Sequence, residues 1–471
     1  MKLYDIIAVG AGSGGLNIAG FMNKAGFEVL LIDKSDKNIG GDCLNFGCVP
    51  SKALIHIAKI IHNAKLSEEF GLSVKGNLNM EKVIEYIKQK QDIIREHENA
   101  RWFRKQGMDV ELGEAEFVGK NRIKVNGKTY EGKKIVLATG SKPLIPKIRG
   151  IEKIKNIYTN ETIFDLNNLP EKLVIIGGGP IGVELGQAFL RLGSNVTIIQ
   201  RGSHFLPKEN PEISNILYEQ LLKEGMHIHM NCEPTSFQSE NSLAAKTKSE
   251  KIVKINFDAV LLATGRELNI PRGLENTGVE LTENKRKIKV NEYLQTTNRK
   301  IYLCGDIAGG YQFTHATELH ASVILNNFFS PFKKKLSYDN FSWVTYTDPE
   351  IATFGLNEEE LKKRNVKYKK LIQDYEDVDR GIVDNSGGKL IIYINKTNKI
   401  LGGSLISPNA GEIFQELGLA MGSGLSVKSV FNKIYPYPTA SRINKKAITK
   451  LYSEKLTSFS KKLLRVLYSL L

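Results

Sequence analysis

Short apolar runs recur along the chain, each closed by a glycine or an acid and followed by a longer stretch of helical periodicity. The first is Tyr4-Asp5-Ile6-Ile7-Ala8-Val9, which leads into Gly10-Ala11-Gly12-Ser13-Gly14-Gly15, a helix pattern through Lys24, and a second run from Phe27 to Asp33. The order returns at Lys172-Leu173-Val174-Ile175-Ile176, with Gly177-Gly178-Gly179-Pro180-Ile181-Gly182, a helix, and a run from Asn195 to Arg201. Runs without polar alternation suit strands buried on both faces of a parallel sheet. Two more, Ile135 to Gly140 and Ala259 to Arg266, end in Ala-Thr-Gly, and each follows its own glycine-rich unit. From Phe341 the pattern changes to Val344-Thr345-Tyr346-Thr347-Asp348-Pro349-Glu350-Ile351-Ala352, then strands at Lys389–Asn395 and Ile400–Ile406, then helices.

This pattern predicts an α/β chain with two Rossmann-like dinucleotide-binding units and a C-terminal α+β domain. Strand, G-x-G-x-x-G, helix, strand and terminal acid fall in the order such a unit needs. Gly10 permits the tight turn, Gly12 lets a pyrophosphate approach the backbone, and Gly15 lets the helix pack against the sheet; Asp33 is placed to accept from a ribose hydroxyl. Gly177, Gly179 and Gly182 repeat those roles. There the second strand ends in Gln200 with Arg201 next and Lys208 close by, so a 2′-phosphate is not repelled and NADPH is favoured over NADH. A solvated surface arginine is the alternative for Arg201.

With 471 residues the chain is long enough for several domains. Its net charge of +15 suits nucleic acid or an anionic membrane, but the lysines are spread along the sequence, which favours a solvated basic surface. No apolar run approaches the roughly 18 residues needed to span a bilayer. Four cysteines in such a chain are not a secreted disulfide scaffold, and a reducing cytoplasm fits best.

Two of those cysteines lie in Gly40-Gly41-Asp42-Cys43-Leu44-Asn45-Phe46-Gly47-Cys48-Val49-Pro50-Ser51-Lys52. Pro50 suits the first turn of a helix that continues from Ala53 to Ala64, which puts Cys48 at or beside its N-terminus. There the helix dipole favours a thiolate, and Lys52 adds to the positive field. Zinc is the competing reading, but Cys232 and Cys304 stand alone, and His56 and His62 read as helix-surface residues. Cys304 reads as a buried small hydrophobe.

With the duplicated units, the segment C-L-N-F-G-C-V-P-S-K resembles the pyridine nucleotide-disulfide oxidoreductase family, to which lipoamide dehydrogenase, glutathione reductase and mercuric reductase belong. The likeness runs to about Ala447. It implies FAD on the first unit, NADPH or NADH on the second, and a homodimer formed through the C-terminal domain. It further implies hydride transfer to flavin and electron transfer to a Cys43–Cys48 disulfide, with Cys48 in charge-transfer contact with the ring and Cys43 attacking the substrate. Lys52 and Glu184 would pair near the flavin, Asp306 would bind the ribityl chain, and the helix opening at His315 and Ala316 would face the pyrimidine. Gly14, Gly41, Asp42, Thr139, Gly140 and Gly265 complete the candidate cofactor contacts. The implied domains are 1–153 for FAD, 154–270 for NAD(P), 271–340 returning to the FAD domain, 341–453 for dimerisation, and 454–471 as a basic amphipathic helix.

Two positions depart from that family. Lipoamide dehydrogenase and glutathione reductase carry a His-Pro-Thr segment with a Glu five residues after the His, supplied by the partner subunit as acid and base. Here the stretch is Tyr437-Pro438-Thr439-Ala440-Ser441-Arg442. A phenol titrating near pH 10 and a guanidinium that stays charged cannot shuttle protons as that pair does. Mercuric reductase also has a Tyr there, but this chain lacks that enzyme's C-terminal vicinal cysteines and its N-terminal metal-binding domain. Tyr437 and Arg442 are therefore a candidate hydrogen-bond donor and anion clamp, or Tyr435 and Tyr437 pack the dimer interface. Asp42 stands where the family usually has Thr.

In the tail, Leu456, Phe459, Leu463, Leu467 and Leu470 share one helical face, with Lys461, Lys462 and Arg465 elsewhere around it. Such a helix suits an anionic bilayer or docks on protein. The expected activity is an NAD(P)H-dependent flavoprotein oxidoreductase whose acceptor is a disulfide, a metal ion such as Hg(II), or a quinone. The alternative is a membrane-associated or structural subunit with reduced chemistry, against which the retention of Cys43, Cys48, Lys52 and Glu184 argues.

Overall fold

The structure, a computed structural model, describes residues 2–453 and 456–470, so the expected boundary between residues 453 and 454 lies outside the described residues. The chain forms two compact units, one of residues 1–201 and 227–336, the other of 202–226 and 337–471.

In the first unit the apolar runs become two parallel sheets. Leu3–Val9 lies between Val29–Asp33 and Lys128–Leu137, with Asp109–Leu112 outside Val29–Asp33. The long strand Lys128–Leu137 is shared. Its first half pairs antiparallel with Arg122–Val125, and its last residues pair in parallel with Ile301–Leu303. The second sheet runs His227–His229, Asn195–Ile199, Lys172–Ile176, Ala259–Leu262, Ile157–Tyr158, all parallel. Ile6, Ile7, Ala8, Leu31, Val136, Val174, Ile175 and Val196 are almost wholly shielded from solvent, which is why these strands carry no polar alternation.

The two Ala-Thr-Gly loops join the sheets. Each leads into a short strand, Ser141–Pro143 and Arg266–Leu268, and these pair antiparallel. Thr139 Oγ1 donates to Asn269 O at 2.6 Å, and Thr264 Oγ1 to Leu144 O at 2.7 Å. The two threonines thus occupy matching positions in a reciprocal crossover.

The second unit is built on an antiparallel sheet of Ser342–Thr345, Glu350–Gly355, Ile400–Ser407, Lys389–Ile394 and Lys369–Asp374, in that spatial order. Thr347-Asp348-Pro349 turns the chain between Ser342–Thr345 and Glu350–Gly355. Gly202–Met226, inside the stretch assigned to the NAD(P) domain, packs with this second unit. Its Glu209 is the reason. That carboxylate is buried and accepts hydrogen bonds from Trp343 Nε1 at 2.7 Å, from Thr345 Oγ1 at 3.4 Å and from Thr353 Oγ1. Burial pushes its pKa up, and the three donors pull it back.

Removing this acceptor strands an indole N–H and a hydroxyl inside the sheet, at about 1–3 kcal/mol for each orphaned donor. Glu209→Ala is expected to lower stability by about 2–4 kcal/mol in urea unfolding, with Glu209→Gln much milder. An Ala variant as stable as the parent protein would show that the carboxylate does not hold this segment.

Candidate active site

The cysteine segment folds as two short turns of helix. Gly41–Asn45 carries Cys43, and Cys48–Leu66 begins at the second cysteine itself, so Cys48 occupies its first turn as expected. The bend between them needs glycine. Gly41 has φ +62°, and a Cβ there would come within 2.6 Å of Gly12 Cα, so the redox loop and the first nucleotide loop touch backbone to backbone. Asn45 anchors the loop by donating to Ile39 O at 3.1 Å and Gly41 O at 2.8 Å, while Gln91 Nε2 caps the Leu44 and Asn45 carbonyls at 2.9 and 3.0 Å.

The two thiols are hydrogen-bonded to each other, and no disulfide joins them. That bond pulls Cys48 down to about 6, aided by Thr314 and Lys52 and opposed by burial and the Asp42 charge. The same bond and burial push Cys43 up. Cys48 Sγ is 3.4 Å from Thr314 Oγ1, and Thr314 opens the helix Thr314–Phe329. Cys48 is thus set between two helix N-termini, its own and that of Thr314, and both favour the thiolate. Thr314 was not singled out from sequence, because nothing local marks a hydroxyl that pairs with a residue 266 positions earlier. His315 stacks on Phe313 with centroids 5.4 Å apart, and Ala316 is buried.

Lys52 lies one turn beyond Cys48, and its Nζ meets Glu184 Oε2 at 2.7 Å. Glu184 sits on the helix Pro180–Leu192 of the second nucleotide unit and is nearly buried. The pair expected from the family resemblance is therefore assembled within the first unit. Tyr437 lies in the second unit, exposed, with the Arg442 guanidinium carbon 5.3 Å from its ring centroid. Tyr435 instead turns inward and donates to Glu416 Oε1 at 2.6 Å.

A second cluster centres on Arg266, whose side chain is nearly buried. Its Nη2 meets Asp42 Oδ1 at 3.0 Å, its Nε donates to Ser141 Oγ at 2.7 Å, and Asp306 Oδ2 lies 3.7 Å from Nε. Ser141 Oγ also donates to Asp306, and Asn160 Nδ2 reaches Asp42 Oδ1 at 3.3 Å. Burial pushes Asp306 up, while Ser141 and Arg266 pull it back. Arg266 directly follows the second Ala-Thr-Gly, and only the pairing of the two short strands brings it to Asp42 and Ser141.

Both nucleotide loops fit a pyrophosphate. A Cβ on Gly10 would lie 2.3 Å from Ala138 O and one on Gly177 2.2 Å from Ala263 O, so the first glycines are fixed by the returning Ala-Thr-Gly strands. A Cβ on Gly15 would sit 1.8 Å from Gly10 O, and one on Gly182 2.1 Å from Gly177 O, the close helix approach anticipated for those positions. Around Gly179 nothing stands within 4 Å, and a Cβ on Gly12 meets only Gly41 Cα at 3.4 Å, which leaves room beside the backbone. Gly14 is packed differently, against Cys304 Sγ and Thr317. Cys304 is buried, and burial pushes its thiol up. Met80–Arg95 and Pro211–Lys223 are capped by Asn79 and Asn210, whereas the helices opening at Ser13, Cys48, Pro180 and Thr314 have no side-chain cap. Their first N–H groups point where anionic groups would be held. Asp33 Oδ2 accepts from Ala11 N at 2.7 Å, and Gln200 Oε1 accepts from Gly178 N at 3.0 Å, so the two strand-end residues brace their loops alike. Gly140 and Gly265 take positive φ at their turns, and Arg201 is largely exposed, 4.0 Å from Glu233.

Two dinucleotide cradles around a cysteine pair define a flavoprotein disulfide reductase. The chain belongs to the pyridine nucleotide-disulphide oxidoreductase family. A family model of that description matches residues 4–321, and the family's dimerisation domain matches residues 341–448. The chain is 32% identical to a mercuric reductase of Lysinibacillus sphaericus, over 93% of this chain and 80% of that one. It is 34% identical to a dihydrolipoyl dehydrogenase of Buchnera aphidicola, over 93% and 94%. The fold is similar to the Cu(II) complex of the HOCl-induced flavoprotein disulfide reductase RclA from Escherichia coli, with a TM-score of 0.85, 26% identity, and 95% and 99% of the chains covered. This protein is therefore an FAD- and NAD(P)H-dependent oxidoreductase of the disulfide-reductase class, with the family's dimerisation domain.

The Asp42 charge opposes the Cys48 thiolate. Asp42→Asn keeps the side-chain shape and removes that opposition. The ultraviolet thiolate absorbance of the reduced protein should then titrate lower, by on the order of half a pH unit. An unchanged or higher midpoint would remove Asp42 from the electrostatics of the pair.

Proposed function

We propose that this protein passes hydride from NADPH to FAD and then sends electrons through Cys43 and Cys48 to a thiophilic metal ion such as Hg(II) or Cu(II). The observation that carries this reading is the replacement of the family's acid–base pair by Tyr437 and Arg442. Reducing a disulfide to two thiols consumes two electrons and two protons, so a site for that reaction needs a proton relay. Reducing a metal ion consumes electrons alone. A phenol stacked with a permanently charged guanidinium suits the second task better than the first. The likeness to a mercuric reductase and to a reductase in complex with Cu(II) supports the same reading.

In this scheme bound FAD supplies the two-electron acceptor for the nicotinamide hydride. Cys48 is the thiolate kept beside the ring by Thr314 and Lys52, and Cys43 is the thiol presented to the acceptor. Lys52 and Glu184 orient each other where ring and nicotinamide meet. Asp306, supported by Ser141 and Arg266, binds the ribityl chain, and Tyr437 offers a hydroxyl to the acceptor from the partner subunit. The protein works as a cytoplasmic homodimer, with the C-terminal segment available for peripheral contact with a membrane. A purely structural subunit would have no use for the full set of Cys43, Cys48, Lys52 and Glu184.

Turnover of NADPH by the flavin-loaded dimer is expected to be fastest with Hg(II) or Cu(II), slow with oxidised glutathione or lipoamide, and lost in Cys43→Ser and Cys48→Ser. A disulfide or a quinone turned over faster than either metal ion would sink the proposal. Coenzyme choice is tested separately. Gln200→Glu keeps an acceptor for the Gly178 amide while placing a charge against a 2′-phosphate. Together with Arg201→Ala it should shift the kcat/KM ratio toward NADH by on the order of tenfold. An unchanged ratio would assign the choice to other residues.

A further inference from the structure

The C-terminal helix Ser458–Leu470 lies beyond the match to the family's dimerisation domain, which ends at 448. Thr457 caps it, its hydroxyl accepting from the Ser460 N–H at 3.2 Å. Helical spacing gathers Phe459, Leu463, Val466, Leu467 and Leu470 along one side and sets Lys461, Lys462 and Arg465 around the other. None of its residues is buried, and Phe459 and Leu470 are each 76% exposed. So large an apolar stripe does not stay in water without a role.

The charge around the stripe identifies what covers it. From Arg442 to Leu470 the sequence holds eight basic residues and one acid, Glu454, and between Leu456 and Leu470 it holds no acid. A helix that docks in a protein groove needs the apolar stripe and gains from an acid-free, cation-rich opposite face only where the groove has an acidic rim. A helix lying on an anionic bilayer gains from both, because the apolar side enters the acyl boundary while the cations meet the headgroups. With 13 residues the helix is about 20 Å long, too short to cross a hydrocarbon core of roughly 30 Å, so it lies along the surface.

We infer that residues 456–470 form a peripheral anchor that docks this protein on an anionic phospholipid surface. Binding requires the apolar side and the cations together and is independent of which acceptor the redox pair serves.

The test is flotation of the flavin-loaded, full-length protein with phosphatidylglycerol-rich vesicles and, separately, with pure phosphatidylcholine vesicles. The protein should float with the anionic vesicles, and raised salt should release it. Leu463→Ser with Leu467→Ser, or Lys461→Glu, Lys462→Glu and Arg465→Glu together, should each weaken binding at least tenfold while flavin content and dimer mass are unchanged. Equal flotation of the full chain and a chain ending at Ser453 would overturn the proposal. So would equal binding to the two vesicle types. Conversion of the truncated protein from dimer to monomer, with no vesicle binding by the full chain, would assign the stripe to a second copy instead. No arm reads turnover, so failure here leaves the acceptor assignment standing, and the reverse holds too.

Discussion

One ion pair joins the helix of the cysteine segment to the helix of the second nucleotide loop. Lys52 belongs to the helix that begins at Cys48, Glu184 to the helix that opens the second nucleotide loop, and their 2.7 Å contact ties the two together. Glu184 is nearly buried, and Lys52 compensates its charge there. Stranding one partner of a buried pair costs about 3–5 kcal/mol, and less where one partner, as Lys52 here, keeps some access to water. The pairing also fixes where the Lys52 charge sits, one turn along from Cys48, close enough to favour its thiolate.

Around Cys48 the influences oppose one another, and their balance explains why it ionises more readily than an ordinary thiol. The Cys43 hydrogen bond, Thr314 and Lys52 favour the anion, while burial and Asp42 disfavour it. Asp42 does not act as a bare charge. Its contact with Arg266 draws it into a cluster that also holds Asp306, so one guanidinium serves two carboxylates. The Cys43 segment, the two Ala-Thr-Gly crossovers and the Asp306 turn therefore share a single buried cation. This links the geometry of the redox loop to the strands that close both nucleotide cradles.

What was legible in the sequence follows from where each signal is stored. The glycine loops, the parallel strands and the placement of Cys48 on a helix N-terminus are local patterns, because each rests on backbone geometry within about thirty residues. The Lys52–Glu184 pair was reachable through the family resemblance. The Thr314 contact to Cys48 and the Arg266 cluster were not, since they join residues more than a hundred positions apart and no periodicity marks a hydroxyl or a guanidinium that will be buried against a distant partner. The placement of Gly202–Met226 with the second unit escaped for a similar reason. Its cause is Glu209 meeting Trp343, Thr345 and Thr353, a choice of partner made by tertiary structure.

The two ends of the electron path are constrained unequally, and the reason is proton balance. On the nicotinamide side each group has one workable place. Four uncapped helix N-termini, two loops whose first and last glycines admit no Cβ, and a nearly buried ion pair leave little freedom. On the acceptor side the family's relay would have to hold and release protons near neutral pH, and Tyr437 with Arg442 cannot. The exposed ring and the part-buried guanidinium instead lie together on the second unit. An electron path kept whole beside an altered Tyr437–Arg442 pair is what the proposed metal-ion acceptor asks for, since reducing a metal ion takes up no protons.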